Sequence, residues 1–352
     1  MKRLAVVLMR MAMGAVLGVG MAGCQMGYYA HLASGHQKIM RERVPVSEIL
    51  AGEHSEISLT ETQRKKLQLS ESLRIFAEDV LLLPVDDAYT DYVSFDGPPL
   101  QRGWATWNVF AAPALSLTPK TWCYPIAGCA TYRGYFDVAR ANRDAEKLRD
   151  KGFEVYAAGA IAYSTLGWFD DPLTTLMLAG DDADFAELLF HELAHRRLYV
   201  KGNTEFNESL ATSVARAGVK QWRAQLGADN AAQDERLQRR DATRQQVVAM
   251  VDETRAALES LYTSDMPEER MLAQRDVLRE ALRQQYSDAL ADNPDLARYQ
   301  RWFDGPLNNA QLNTVADYEN LVPRFDAILS QCVADWACFW TEVERIADLP
   351  AE

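Results

Sequence analysis

Apolar positions recur at helical spacing over most of the chain and at strand spacing only in a short stretch of its first half. Thr60-Glu61-Thr62-Gln63 has the form of a capping box, and Leu69, Leu73, Phe76 and Val80 follow at intervals of three and four until Pro84. This spacing predicts an amphipathic helix with one buried stripe. Trp104 to Leu117 is rich in aromatic and β-branched residues and is interrupted by Pro113, which predicts a strand with an edge or a bulge. Asp137 opens a charged helix that runs through Asp150 and closes at Gly152, and Glu154 to Tyr163 reads as a further strand. From Asp184 onward the pattern is helical. Asp184-Phe185-Ala186-Glu187 caps a helix reaching about Tyr199, Gly202 and Asn203 break it, and a second helix is expected from about Glu205 to Leu226. Residues 231–262 and 267–290 are charged helical segments, most simply a hairpin whose charges form solvated faces. The expected class is α+β and helix-rich, with a small N-terminal sheet and a C-terminal helical region.

The first residues do not belong to this pattern. Lys2 and Arg3 precede a short apolar run, Met11 to Met21, that is too short to span a bilayer, which takes roughly 20 apolar residues. The run ends in Ala22-Gly23-Cys24, which resembles the lipobox of bacterial lipoproteins, where the signal is removed and the cysteine carries the lipid. Residues 1–23 then form the signal and Cys24 the lipidation site. Gln25 resembles the sorting pattern for the outer membrane, so a lipid-anchored protein of the bacterial envelope facing the periplasm is expected. An ordinary secretory signal is the alternative. The formal net charge of −13 disfavours nucleic acid, because phosphate binding needs clustered Lys and Arg, and reads otherwise as a solubilising surface. Cys123, Cys129, Cys332 and Cys338 remain as disulfide candidates. An oxidising compartment suits three connectivities, of which two local loops are preferred.

The chemistry concentrates at His191-Glu192-Leu193-Ala194-His195. Positions i and i+4 share one helical face, so the two imidazoles can bind one ion. One Zn2+ suits neutral imidazole nitrogen and leaves a position open for water. Glu192 lies beside that position as a general base that takes the proton of the attacking water and later delivers it to an amine. The flanking Leu188, Leu189 and Phe190 predict a buried helix, in which unpaired imidazoles and a carboxylate would be costly without a metal. A catalytic zinc usually takes three protein ligands. His31, His36 and His54 lie far upstream, which points to a carboxylate on the second helix, Glu205 or Glu208. The first helix rises about 6 Å from His195 to Tyr199. An antiparallel return brings Glu208 back to the height of His195 and leaves Glu205 nearer the turn.

His191-Glu192-x-x-His195 followed by Asn207-Glu208 resembles the gluzincin metallopeptidases. Phe206 to Ala211, Trp122-Cys123 through Tyr135-Phe136, and Leu166 to Leu173 together resemble the bacterial predicted aminopeptidase family over most of the chain after Cys24. The resemblance implies a zincin-like core and a zinc-dependent peptidase, with aminopeptidase as the assigned activity. Residues 24–180 would form the N-terminal α+β region, 181–226 the metal-binding helix pair and 227–352 the C-terminal helical region, all within one catalytic unit. Thr212 stands where the wider gluzincin pattern often has an Asp that braces a ligand histidine, and Arg196 and Arg197 stand where apolar residues are commoner. One of these arginines could brace a carboxylate, but a surface role is the expected reading.

Peptide is the expected partner, and the sequence assigns no oligomeric state. Glu154 to Ile161, with its small residues, is a candidate edge for pairing with an extended peptide, or else an ordinary packed strand. Tyr318 is the candidate donor to a developing oxyanion, and Glu205 and Asp170 are candidates for binding a substrate amine. Two alternatives stand beside the aminopeptidase: an envelope endopeptidase with the same zinc site, and a non-catalytic lipoprotein scaffold stabilised by metal.

Overall fold

The computed structural model describes residues 26–95, 104–124, 128–165, 169–227 and 231–348. The signal residues, Cys24 and Leu166 to Trp168 lie outside these ranges. The chain begins with helix α1 (26–41), strand β1 (Val44–Pro45), α2 (Val46–Ala51), α3 (Glu61–Asp79) and β2 (Asp91–Val93). Strands β3 (Thr106–Pro113), β4 (Trp122–Tyr124), β5 (Gly128–Ala130) and β6 (Tyr132–Tyr135) follow, then α4 (Val138–Arg149), β7 (Phe153–Ala160) and β8 (Leu173–Thr174). The remainder is helical: α5 (Asp182–Arg197), α6 (Thr204–Gln225), α7 (Ala231–Tyr262), α8 (Glu268–Asp292), a 3-10 turn (Pro294–Tyr299), α9 (Gln300–Phe303), α10 (Asn309–Glu319), α11 (Val322–Gln331) and α12 (Trp336–Ala347). The protein is thus helix-rich with small sheets, an α+β fold. Among the described residues no helix is long and apolar enough to cross a membrane.

Local signals start and stop these elements. Thr60 and Gln63 form the capping box of α3, which stops at Asp79, short of Pro84. Asp137 caps α4 by accepting from the Arg140 N–H, and Gly152 takes φ +83° just beyond its end. The cap of α5 departs from expectation. Asp181, three residues earlier, is the N-cap, and Asp184 is its reciprocal partner inside the first turn. An aspartate at either place can satisfy a free N–H, so the pattern alone leaves this ambiguity.

The sheet that faces the site has the order β6-β3-β7 and is antiparallel throughout. β3 is its centre, not an edge. Pro113, which cannot donate to a ladder, sits at the strand's last position opposite Phe153. The run Val109 to Ala112 is buried on both faces. Val109 and Ala111 pack on Ala141, Ala145 and Leu148 of α4, while Phe110 and Ala112 pack toward Ala310.

The main core gathers around α5 and α6. Phe185, Leu189, Phe190 and Leu193 meet Phe76 from α3, Leu210 and Val214 from α6, and Phe325 and Trp340 from α11 and α12. Segments from both ends of the described chain therefore fix the helix pair. Gly218 permits the close approach of α6, since a Cβ there would stand 2.7 Å from Leu81 and 3.0 Å from Phe190. Lys66 is buried, and its ammonium donates to the Leu178 and Gly180 carbonyls, tying down the segment that leads into the α5 cap.

Candidate metal centre

One face of α5 looks into the core and the other into a cleft of about 1560 Å³. Asp184, Glu187, Leu188, His191, Glu192 and His195 border the cleft, at the intervals of three and four that define one helical face. Alternate β3 residues Thr106, Asn108 and Phe110 form part of the opposite wall, as the two-residue period of a strand requires. Ten of the chain's 14 tyrosines line the space, among them Tyr132 of β6, Tyr156 of β7 and Tyr318 of α10.

The turn between α5 and α6 sets the position of Glu208. Gly202 takes φ +82°, and Asn203 caps α6 by accepting from the Phe206 N–H at 3.1 Å. Asn207 clamps the loop: its Nδ2 donates to the Val200 carbonyl at 2.8 Å, and its Oδ1 accepts from the Val200 N–H at 2.7 Å. The next residue is Glu208, so the clamp fixes its rotation about α6. The Cys123–Cys129 disulfide spans the β4-β5 hairpin next to this turn, where a Cβ on Gly128 would lie 2.8 Å from the Gly202 nitrogen. Cys332 and Cys338 are paired between α11 and α12, so both disulfides are the local loops.

His191 Nε2 lies 3.2 Å from Glu208 Oε2 and 3.2 Å from His195 Nε2, and His195 Nε2 lies 3.6 Å from Glu208 Oε2. Four-coordinate zinc with donors at roughly 2.0–2.1 Å separates neighbouring donors by about 3.3 Å, so this triangle has the right size. The atoms are two imidazole nitrogens and one carboxylate oxygen, a donor set that could hold a metal ion. In the triangle itself, burial opposes a charged His195, but the Glu208 carboxylate and then Glu192 hold its pKa above the usual value. Burial likewise disfavours the Glu208 carboxylate, and the two histidines overcome it and hold its pKa well below the ordinary range. Glu192 is buried, borders the cleft and makes no hydrogen bond to another described residue.

The surrounding residues divide sharply. Tyr318 stacks on His191 with ring centroids 5.9 Å apart and planes 17° apart. Although 38% of Tyr318 is exposed, desolvation, then Glu208, Tyr132 and Glu192, push its hydroxyl pKa well above the usual value. Tyr132 is driven the same way by burial, then by Glu208, and sequence patterning did not single it out. Thr131 beside it donates to Asp317 Oδ2 at 2.9 Å, which ties β6 to α10 and brings Tyr132 and Tyr318 to one place. Burial is the main cause that pushes the Asp317 carboxyl up to about 6.

Glu205 accepts from Asn320 Nδ2 at 2.7 Å, and Asp170 pairs with Arg196 at 3.4 Å; neither is among the residues that border the cleft. Arg196 is not a surface residue. Its side chain is buried and donates to the Phe169 carbonyl at 3.0 Å and to Asp86 at 3.1 Å, bracing the segment that carries Asp170 and Asp171. Arg197 pairs with Glu344 at 2.6 Å and is partly exposed. Among the described residues the buried His195 Nδ1 has no hydrogen-bond partner, and Thr212 borders the cleft without bonding to it.

A helix-rich α+β chain that aims two imidazoles and a carboxylate into an aromatic cleft defines a protein with a candidate metal centre. The chain belongs to the family described as "Putative aminopeptidase", whose model matches residues 27–352. Membership supports peptidase activity on peptide substrates. No match is found among curated proteins or among solved structures.

Proposed function

We propose that the protein is a zinc-dependent aminopeptidase with a zincin-like core, in which His191, His195 and Glu208 hold one zinc ion and Glu192 is the general base. The observation that carries this reading is the triangle of donor atoms, with edges of 3.2, 3.2 and 3.6 Å, beside a buried glutamate on the same face of α5. Zinc, when bound, activates water and polarises a carbonyl. Glu192 takes a proton as water adds to the peptide carbonyl and returns it to the departing amine. Among the described residues its carboxylate has no hydrogen-bond partner, which leaves it available for both transfers. Tyr318, with Tyr132 as its neighbour, donates to the carbonyl oxygen as negative charge develops there. Their raised pKa values keep both hydroxyls protonated, as donation requires. We assign Cys24 as the lipid anchor and the outer membrane as the site of action, on the signal pattern that precedes it.

An endopeptidase of the envelope is the second reading. It is favoured by the cleft volume of about 1560 Å³, above the roughly 300–1,000 Å³ of small-ligand pockets. Metal analysis combined with hydrolysis of free-amine and N-blocked peptides, by wild type and Glu192→Gln, separates the readings. Activity on free-amine peptides alone, lost on chelation and in the variant, supports the aminopeptidase. Cleavage of blocked peptides selects the endopeptidase, and full metal occupancy without hydrolysis of any peptide selects a metal-stabilised scaffold.

A further inference from the structure

The cleft extends well past the metal ligands. Along α5 its lining continues from His191 to Glu187 and Asp184, which lie about 6 and 10 Å nearer the helix N-terminus at 1.5 Å per residue. Arginines from three other elements converge on this end: Arg216 of α6, Arg240 and Arg244 of α7, and Arg298 of the 3-10 turn, all bordering the cleft.

The carboxylates here are already engaged. Glu187 binds Arg240, Arg244 at 3.1 Å and Arg216 at 3.8 Å; Asp184 takes Arg240 at 2.6 Å; Glu319 takes Arg216 at 2.5 and 2.9 Å. Asp241, which does not border the cleft, engages Arg244 from outside. Arg298 differs from the others. It is exposed, forms no ion pair with a described residue, and lies 5.9 Å from the ring of Tyr299, itself part of the cleft wall. The buried Nε of Arg240 also has no hydrogen-bond acceptor among the described residues. Among the described residues that border this end, a substrate amine would find each carboxylate already paired, whereas an anion would find the Arg298 guanidinium without an ion-pair partner, the group best shaped for a carboxylate.

We propose that this end of the cleft is a carboxylate subsite, read by Arg298, that receives a carboxylate of the substrate two to three residues from the scissile bond. The spacing follows from the reach of an extended chain, about 3.3–3.6 Å per residue, over the roughly 6–10 Å that separate Glu187 and Asp184, the partners of Arg240 and Arg244, from His191 along α5. The carboxylate belongs either to the C-terminus of a short peptide or to an Asp or Glu side chain. The inference rests on the peptidase reading above.

Titration calorimetry with zinc-supplemented Glu192→Gln protein reads binding without turnover. Four Phe-containing tetrapeptides serve as probes: a free acid, its C-terminal amide, the amide with Glu at the third position, and the amide with Gln there. The free acid, the Glu peptide or both should bind about tenfold tighter than their neutral counterparts, and which of them does so identifies the source of the carboxylate. Adding Arg298→Ala or Arg298→Gln should abolish the preference and leave the neutral amides unchanged, with circular dichroism checking that each variant is folded. Equal binding of charged and neutral peptides, a preference that survives both Arg298 variants, or no binding of any probe overturns the subsite. Failure of the wild type to hydrolyse any peptide would sink the peptidase reading instead, and the calorimetric preference would still judge the subsite.

Discussion

Asp171 lies in the segment braced by Arg196, and replacing it with asparagine should change how stability depends on pH. Its carboxyl is 2% exposed. Burial pushes its pKa from 3.8 up to about 7, with Glu192 adding to the rise, while hydrogen bonds from Thr165 at 2.7 and 3.0 Å and the charge of Arg196 oppose it. Between these two values the folded protein holds a proton that the unfolded chain has released, so stability falls as pH rises. Integrating over pH 5 to 7.5 gives wild type a loss of about 2.5 kcal/mol from this group, at about 1.36 kcal/mol per pH unit. Asparagine keeps an acceptor for Thr165 but cannot ionise. It places an amide where Oδ1 now lies buried and unpartnered, so the variant should start less stable at pH 5. Urea titrations of both proteins at pH 5.0 and 7.5, at one fixed zinc concentration, isolate the effect, because every other titrating group is common to both. The difference between them should shift by about 2.5 kcal/mol in favour of Asp171→Asn at the higher pH. A difference that stays constant across the two pH values would refute the reasoning.

Glu192→Gln should lower kcat by about 10²–10⁴ while zinc content, read by elemental analysis, stays at the wild-type level. Asn207→Ala removes two hydrogen bonds to the Val200 backbone, so stability to urea should fall by about 2–4 kcal/mol. Zinc affinity, read by chelator competition, should fall by about 10–100-fold, the range typical when ligand support is lost. Gly218→Ala forces a Cβ against Leu81 and Phe190 and should cost about 1–3 kcal/mol in the same titration. Chelation should lower Tm and added zinc restore it, because a ligand bound only by the folded state stabilises that state.

Local chemistry carried most of what the sequence revealed. The capping box at Thr60, the cap at Asp137 and the break at Gly202 each involve residues within a turn of one another, so their spacing is legible. The histidine pair is legible for the same reason, and Glu208 follows because a tight antiparallel return leaves few heights at which a carboxylate can meet His195. What patterning missed is held by distant partners. Arg196 reads from the sequence as a surface residue or else as a brace for an unnamed carboxylate, and its acceptors, Phe169, Asp170 and Asp86, lie up to 110 positions away. Tyr132 comes beside the candidate ligands through its pairing with Phe110 of β3 and through Thr131, which bonds Asp317 across 186 positions. Pro113 predicts an edge or a bulge in β3, whereas the proline is the last residue of a central strand.

The same division explains how the site keeps its geometry. Helical spacing sets the two histidines relative to each other, but no helix sets their distance to Glu208; that distance belongs to the loop at residues 198–203. Rotating α6 by a single residue would swing the carboxylate about 100° away, given 3.6 residues per turn. Two features oppose such a slip: the paired hydrogen bonds of Asn207 to Val200, and the disulfide-closed hairpin whose Gly128 packs against Gly202. Ser209 adds a third constraint from the far side of Glu208, donating to the Asp317 carbonyl at 3.1 Å and so coupling the register of α6 to the helix that carries Tyr318. Glu208, its loop and the stacked tyrosine are therefore held as one unit. A change at Asn207 or Ser209 should disturb metal binding and the Tyr318 contact together, although neither residue touches the metal position.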